Sequence, residues 1–214
     1  MFANLEDEDV CDGKPRPPGK HISQATAAAF QILKIDFALC QLFEQCRDCA
    51  DTAVVRDFVD AINNDFPNAL YSDVMVLDAR FRQTHTSLPG YLRYDIARPF
   101  DPLSTTSKRY LHEQRLFMGI TLHNRLLRLH RAYMARGYAD PTYAHSTKTC
   151  LESAGLILDL VSQSRAILCR WWVVLVHVWT SGLVLAVDLV RIEHDEEKRE
   201  VRVKGLKLAL GLMQ

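Results

Sequence analysis

An uncharged run over residues 171–187 constrains this 214-residue chain more than any other feature. Such a run forms either a buried helix or a membrane span at the short limit, because crossing a bilayer takes about 20 apolar residues. The flanking segments have the pattern of amphipathic helices rather than of further spans. We therefore predict a core helix, with a single-span membrane protein as the alternative. A step of about 100° per residue gives it one apolar face, formed by Trp172, Val176, Trp179, Leu183 and Val190.

The other side of this helix carries a polar stripe, which supplies the candidate site. A buried polar group costs free energy unless it finds a hydrogen-bond partner. The stripe therefore has two open interpretations, a structural polar cluster or one wall of a pocket for a small effector. No catalytic residue and no metal ligand is predicted. The effector-pocket candidates are Arg170, His177, Ser181 and Asp188.

The rest of the chain shows helical periodicity without convincing strand alternation, so the predicted fold class is all-α, an irregular multi-helix domain. Residues 1–20 are acidic and then proline-rich, which is typical of a linker. Ser72 and Ser146 are expected to cap helices, and Gly137 to stop one. The predicted helices span about 22–47, 51–66, 72–88, 108–136, 146–161, 167–191 and 194–213.

Charge and motifs argue against an enzyme or an autonomous nucleic-acid binder. Lys+Arg and Asp+Glu balance at 26 each, and the sequence contains no phosphate-binding loop, nucleophile elbow or zinc-protease motif. Cys46 and Cys49 lie on one helical face and are interpreted as small core residues, since a structural zinc site needs four ligands. Arg125, Arg128 and Arg131 are interpreted as a solvated face, with phosphate contact as the alternative. We expect no cofactor in this chain.

Four stretches, in order along the chain, resemble elements of one family. They are the acidic element 4–10, the segment 126–146 with its Asp140-Pro141-Thr142-Tyr143, the aromatic helix from Arg170-Trp171-Trp172 to Asp188, and the charged helix from Lys198 to Leu210. The first two show an asparagine before an acidic run, and Asp-Pro-x-Tyr followed by Ser146 and Cys150. Together they resemble the fungal-specific transcription factor domain, the middle homology region of binuclear zinc-cluster regulators, over its later half only.

The resemblance implies the regulatory region of a nuclear transcription factor that controls RNA polymerase II transcription. In that family a six-cysteine, two-zinc module contacts DNA, and the six cysteines here do not reproduce its paired spacing. DNA contact and zinc are therefore expected only through a module missing from this chain. Residues 1–20 would be a linker, and residues 21–214 the C-terminal half of the regulatory domain. The expected partners are the transcription machinery or regulatory proteins, a second copy of the chain and a small effector, with no membrane.

An orphan helical protein-interaction module that never binds DNA is the alternative function. Half of a helical domain also leaves apolar faces uncovered, and large exposed apolar patches favour association. The isolated chain is therefore expected to self-associate or to be poorly soluble.

Overall fold

The computed structural model describes residues 71–94, 109–192 and 195–214. The predicted linker 1–20 and the predicted helices 22–47 and 51–66 lie outside the described residues. Within those ranges the regular elements are helices, which confirms the all-α prediction. The described residues belong to two compact units, with 71–92 in the first and 93–214 in the second.

Six α-helices and two short 3-10 turns make up the described structure. The 3-10 turns are Arg136–Tyr138 and Pro141–Tyr143. The helices are α1 Tyr71–Thr86, α2 Arg109–Met134, α3 Ala144–Gln163, α4 Arg165–Leu168, α5 Trp172–Arg191 and α6 Glu196–Met213.

Helix α1, in the first unit, lies close to its predicted bounds, but it already includes Tyr71, so Ser72 lies within the helix and does not cap it as the sequence predicts. Val74 and Leu77 are fully or almost fully buried, as the apolar spacing predicts. Arg82 donates from Nε to both carboxylate oxygens of Asp78 at 3.0 Å, one turn apart on the helix. The helix ends where the amide of Ser87 bonds the carbonyl of Gln83, just before the Leu88-Pro89-Gly90 stop.

Helix α3 is the centre of the second unit and packs against α2, α5 and α6. It is buried on most of its circumference because its side chains are small or apolar, so that several neighbours can approach it. Its buried residues are Ser146, Thr147, Thr149, Cys150, Ser153, Ala154, Ile157, Leu158, Leu160 and Val161.

The connection between α2 and α3 is a compact turn built around Gly137 and Asp140. The Asp140 carboxylate accepts a hydrogen bond of 2.8 Å from the amide of Thr142 and so caps the second 3-10 turn, whose first residue is Pro141. This bond holds the pKa of Asp140 below its usual range. Gly137 lies so close to the start of α3 that a Cβ there would stand 2.6 Å from the carbonyl oxygen of Tyr143.

Ser146 does not cap α3, contrary to the sequence prediction. Helix α3 begins at Ala144, directly after the Asp140-capped turn, so Ser146 already lies within it. Its hydroxyl instead meets Nδ1 of His130 at 2.8 Å in the buried contact between α2 and α3. The turn capped by Asp140 already begins the helical segment. The Ser146 hydroxyl therefore bonds to a second helix instead of capping α3.

The predicted helix 167–191 is interrupted. Helix α4 ends at Leu168, and α5 begins only at Trp172, after Trp171 adopts an extended backbone with φ −96° and ψ 108°. The Trp171 ring packs against Phe117 of α2, with ring centroids 5.1 Å apart. This aromatic contact lies at the break between α4 and α5. Local helical periodicity in the sequence does not predict that break.

Helix α5 is buried on one side, and that side is the polar stripe rather than the apolar face. The buried residues are Val174, Val178, Ser181, Val184, Leu185 and Asp188. Close approach explains the choice of face, since Leu185 and Gly182 of α5 lie directly against Gly205 and Ala209 of α6. Among the described residues α5 is also the one helix long and apolar enough to cross a membrane, and 33% of an 18-residue apolar stretch within it is buried.

We predict opposite effects for alanine at two glycines of this unit. At Gly137 a Cβ meets Thr147 Oγ1 at 2.1 Å and two backbone atoms of Tyr143 within 3 Å, so Gly137→Ala should lower the free energy of unfolding by about 1–3 kcal/mol. At Gly155, in the middle of α3, nothing lies within 4 Å of the added Cβ. Gly155→Ala should therefore stabilise by about 0.5–1 kcal/mol. Urea unfolding followed by circular dichroism measures both, and equal effects would contradict the tight turn.

Candidate functional site

The carboxylate of Asp188, which is 5% exposed, accepts side-chain hydrogen bonds from two distant parts of the second unit. Tyr138 donates its phenolic proton to Oδ1 at 2.6 Å, and Arg202 donates from Nε to Oδ2 at 2.6 Å. The two carboxylate oxygens therefore bind two different parts of the chain. We call these three residues the Asp188 cluster.

Each member of the Asp188 cluster comes from a different element. Tyr138 ends the first 3-10 turn after α2, Asp188 lies in the last turn of α5, and Arg202 lies in the first half of α6. Gly137 allows the turn to pack against α3, which holds Tyr138 in place. The small residues Gly205 and Ala209 let α6 lie against α5, so that Arg202 reaches the carboxylate. The cluster thus ties the α2–α3 connection to the last two helices.

Electrostatics keep the Tyr138 phenol protonated. Burial, together with the hydrogen bond to Asp188 and the charge of that carboxylate, raises the pKa of Tyr138 far above its ordinary value. The phenol therefore stays a hydrogen-bond donor at every physiological pH. Arg202, with a side chain 19% exposed, supplies the counter-charge that a buried carboxylate requires. The guanidinium of Arg191 adds a cation over the Tyr138 ring, 5.7 Å from its centroid.

His177 and Ser181 lie one turn apart on the inner side of α5. The Ser181 hydroxyl donates to the backbone carbonyl of His177 at 2.8 Å, so its proton is used within the helix. Burial, and to a smaller extent the positive charge of Arg128 on α2, lowers the pKa of His177 to about 4. His177 is therefore a neutral, half-buried imidazole at neutral pH.

The four sequence-predicted site residues do not converge on one point. His177 and Ser181 are neighbours, whereas Asp188 lies seven residues further along the helix, about 10 Å away. Arg170 is exposed and lies before α5 begins. Two of the three residues of the Asp188 cluster, Tyr138 and Arg202, were not predicted. Their partnership is invisible in sequence because they lie 64 residues apart (202 − 138) and only the fold joins them.

A second buried polar cluster joins α2 to α3. His130, fully buried, meets the Ser146 hydroxyl through Nδ1 and packs edge-on against the ring of His145 with centroids 5.3 Å apart. One turn along, the Thr147 hydroxyl donates to the carbonyl of Met134 at 2.8 Å and so satisfies the end of α2. Both hydrogen bonds lie in the contact between α2 and α3, so His130, Ser146 and Thr147 have structural roles in helix packing.

The stacked rings of Tyr133 and Tyr143 close this end of the unit. Their centroids are 5.7 Å apart with an interplanar angle of 18°, and the Arg136 guanidinium lies 5.5 Å and 5.7 Å from the two centroids. Tyr143 is the tyrosine of the Asp-Pro-x-Tyr stretch. Its spacing from Asp140 thus has a physical reason, because the aspartate starts the turn and the tyrosine anchors it to α2.

We predict that removing the Asp188 carboxylate unfolds the second unit readily. Asp188→Ala leaves the Arg202 cation and the Tyr138 hydroxyl without their acceptor, and breaking a buried ion pair in this way costs about 3–5 kcal/mol. The matched control is Glu152→Ala, which removes an exposed carboxylate 3.8 Å from Lys148 and should cost less than about 0.5 kcal/mol. Chemical denaturation compares the two, and similar losses would contradict a supporting role for the cluster.

We predict that acid destabilises the fold partly through His177. Its pKa is about 4 in the fold against an ordinary 6.5, so the unfolded chain binds the proton more tightly. The contribution of neutral His177 is then fully present above about pH 6.5 and lost as the pH falls toward 4, about 2 kcal/mol between pH 7.5 and 5. His177→Gln should flatten the stability profile in that window and leave it parallel to the parent between pH 7.5 and 9. An unchanged acid slope would contradict this.

Comparison with known proteins gives fungal transcription factors. The Agnestins biosynthesis cluster transcription factor AgnL11 of Paecilomyces divaricatus is 27% identical over 218 aligned positions, which cover 96% of this chain and 28% of that protein. The probable transcription factor lepB of Aspergillus flavus is 29% identical over 158 residues, 73% of this chain and 26% of its own length. The Zn(2)-C6 fungal-type transcription factor pigI of Monascus ruber is 33% identical over 89 residues, 42% of this chain and 10% of its own.

No family model and no solved structure matches the chain. The chain spans about a quarter of the length of the first two relatives. The three relatives nonetheless belong to one class of protein. Each is described as a transcription factor, and one as a Zn(2)-C6 protein. They support a relationship of this chain to fungal zinc-cluster regulators.

Proposed function

We propose that this chain is part of the regulatory region of a fungal zinc-cluster transcription factor, the C-terminal half of its regulatory domain. In that role it controls RNA polymerase II transcription in the nucleus and is not an enzyme. Three relatives described as transcription factors support the proposal, and AgnL11 is similar to this chain over almost all of it.

The observation that carries the proposal is the convergence of three family-like stretches at Asp188. Tyr138 comes from the segment that leads into Asp-Pro-x-Tyr, Asp188 ends the aromatic helix, and Arg202 belongs to the charged helix. Stretches that resemble one domain in sequence thus meet through their polar residues in space. This is the expected arrangement when the motifs belong to one regulatory fold rather than to unrelated helices.

DNA contact belongs, in this proposal, to a zinc-cluster module outside the chain. Cys150 and Cys169, the cysteines among the described residues, are free thiols. Their sulfurs face the backbone carbonyls of Leu127 and Leu212, at 3.8 Å and 3.7 Å. Burial raises the pKa of Cys150 to about 12, which keeps it a thiol rather than a metal-binding thiolate. In this proposal zinc would be held by the other module.

An effector site is part of the proposal, with His177 as its centre. The neutral imidazole lies half-buried near Arg128, so a small anionic or polar ligand would find a cation and a hydrogen-bonding ring together. Ser181 and Asp188 would act on this site through the position of α5, and Arg170 from the segment that precedes the helix. The alternative function is an orphan helical interaction module that binds regulatory proteins without any link to DNA.

Tethering tests this proposal. The 214-residue chain, fused to a heterologous DNA-binding domain in a fungal reporter strain, should change transcription several-fold relative to the DNA-binding domain alone. The untethered chain should give no retarded band with duplex DNA at 50 mM salt, a condition that favours phosphate contacts.

Two variants make the tethering result specific. Glu152→Ala, on an exposed ion pair, should preserve the reporter change, whereas Asp188→Ala should abolish it together with the fold. A tethered chain that is folded and nuclear but leaves transcription unchanged would contradict the regulatory function and favour the orphan module. Direct binding of the untethered chain to DNA would contradict the assignment of DNA contact to another module.

A further inference from the structure

Helix α5 turns a continuous apolar surface outward. Trp172 is 76% exposed, Trp179 54% and Val190 83%, although side chains of this kind are normally covered. Val176, Leu183 and Val187 complete the surface, each about half exposed. We call these six residues the α5 seam, and we propose that two copies of this chain pair along it with their α5 helices antiparallel.

The spacing of the α5 seam is that of a helix-pairing surface. Its six residues follow one another at intervals of four, three, four, four and three. This is close to the alternation that lets side chains of one helix enter the holes of another. Scattered exposed apolar residues would show no such order. The seam runs over 19 residues of a single helix, a length of about 28 Å.

The exposed area fits a second copy of the chain. A large aromatic side chain presents about 150–250 Å², so the seam leaves on the order of 700 Å² open. That exceeds the largest apolar patch of a typical monomer, about 300–600 Å². It is close to the roughly 800 Å² per partner that a stable interface of standard size buries. Pairing of two seams would therefore supply the area that a dimer needs.

The distribution of side-chain size selects the antiparallel orientation. Both seam tryptophans lie in the first half of α5, and the smaller Leu183, Val187 and Val190 lie in the second half. A two-fold axis near the middle of the helix places the tryptophans of each copy against the small residues of the other, which fills space evenly. A parallel pair would set tryptophan against tryptophan at one end and leave gaps at the other.

Polar groups do not oppose this pairing. The seam itself carries no charge, and the adjacent Thr180 hydroxyl donates to the carbonyl of Val176 at 2.8 Å. Arg170 and Arg191 flank the seam at its two ends, where solvent and salt screen their repulsion. The Arg191 guanidinium also lies over the Tyr138 ring of its own chain. The dimer depends only on the α5 surface and does not rest on the transcriptional function.

Sedimentation equilibrium of the 214-residue chain tests the pairing. We expect a dimer at micromolar concentration. Trp179→Glu removes a central anchor and places a carboxylate in an apolar contact twice per dimer, so it should weaken association at least about 30-fold. The matched control is Leu210→Glu, an equally exposed leucine of α6 outside the seam at 57%, which should leave the dissociation constant unchanged. Circular dichroism verifies that both variants keep the parent helix content.

Cysteine cross-linking tests the orientation. Trp172→Cys and Val190→Cys chains are mixed and oxidised, and mass spectrometry identifies the linked peptides. An antiparallel dimer gives links between positions 172 and 190. Dominant links between two copies of position 172 would overturn the antiparallel arrangement.

Three results would overturn the dimer itself. One is a monomeric parent chain at micromolar concentration. Another is a dimer that Trp179→Glu leaves intact or that Leu210→Glu disrupts. The third is flotation of the parent, but not of Trp179→Glu, with phosphatidylcholine vesicles, which would assign the seam to a lipid surface.

Discussion

A single buried carboxylate holds three separate elements of the second unit in register. Asp188 can be buried only because Tyr138 donates to one oxygen and Arg202 to the other, and each donor arrives from a separate element. An ion pair of this kind contributes little net stability compared with an apolar contact, yet it penalises any arrangement that leaves one partner alone. Its main effect is therefore to specify one geometry: the α2–α3 turn, the end of α5 and the start of α6 must meet where the carboxylate lies.

Close packing around α3 allows these elements to meet at Asp188. Its small and apolar residues allow α2, α5 and α6 to approach, and glycines at the tightest contacts let backbones come closer than a Cβ would permit. The polar residues between α2 and α3 form hydrogen bonds across the contact. His130 bonds Ser146, and Thr147 bonds the carbonyl at the end of α2. The Asp-Pro-x-Tyr stretch thus acts as a capped, aromatic-anchored turn. Its resemblance to a regulatory domain has a structural basis in packing rather than in chemistry at an exposed site.

Helix α5 has a buried inner side with polar groups and an exposed, apolar outer side. Its inner side carries the polar groups, which the Asp188 cluster and a helix carbonyl satisfy, and its outer side carries the tryptophans. A helix that contacts its own unit through small and polar residues leaves its largest apolar area for another surface. This explains why a segment with the hydropathy of a membrane span also fits a protein interface. In a transcription regulator, such a surface would couple assembly to the same helix that holds the Asp188 cluster.

The sequence by itself determined the helical class, the approximate bounds of α1, α2 and α6, and the two faces of α5, because these follow from local periodicity. It also carried the resemblance to a regulatory family, through short ordered motifs. Only the tertiary structure decided which face of α5 is buried, since periodicity separates two faces without saying which one meets a neighbour. It likewise decided that Ser146 bonds His130 and that Asp188 meets Tyr138 and Arg202. Those partners are distant in the chain, and hydrogen bonds between them depend on helix packing that no local pattern encodes.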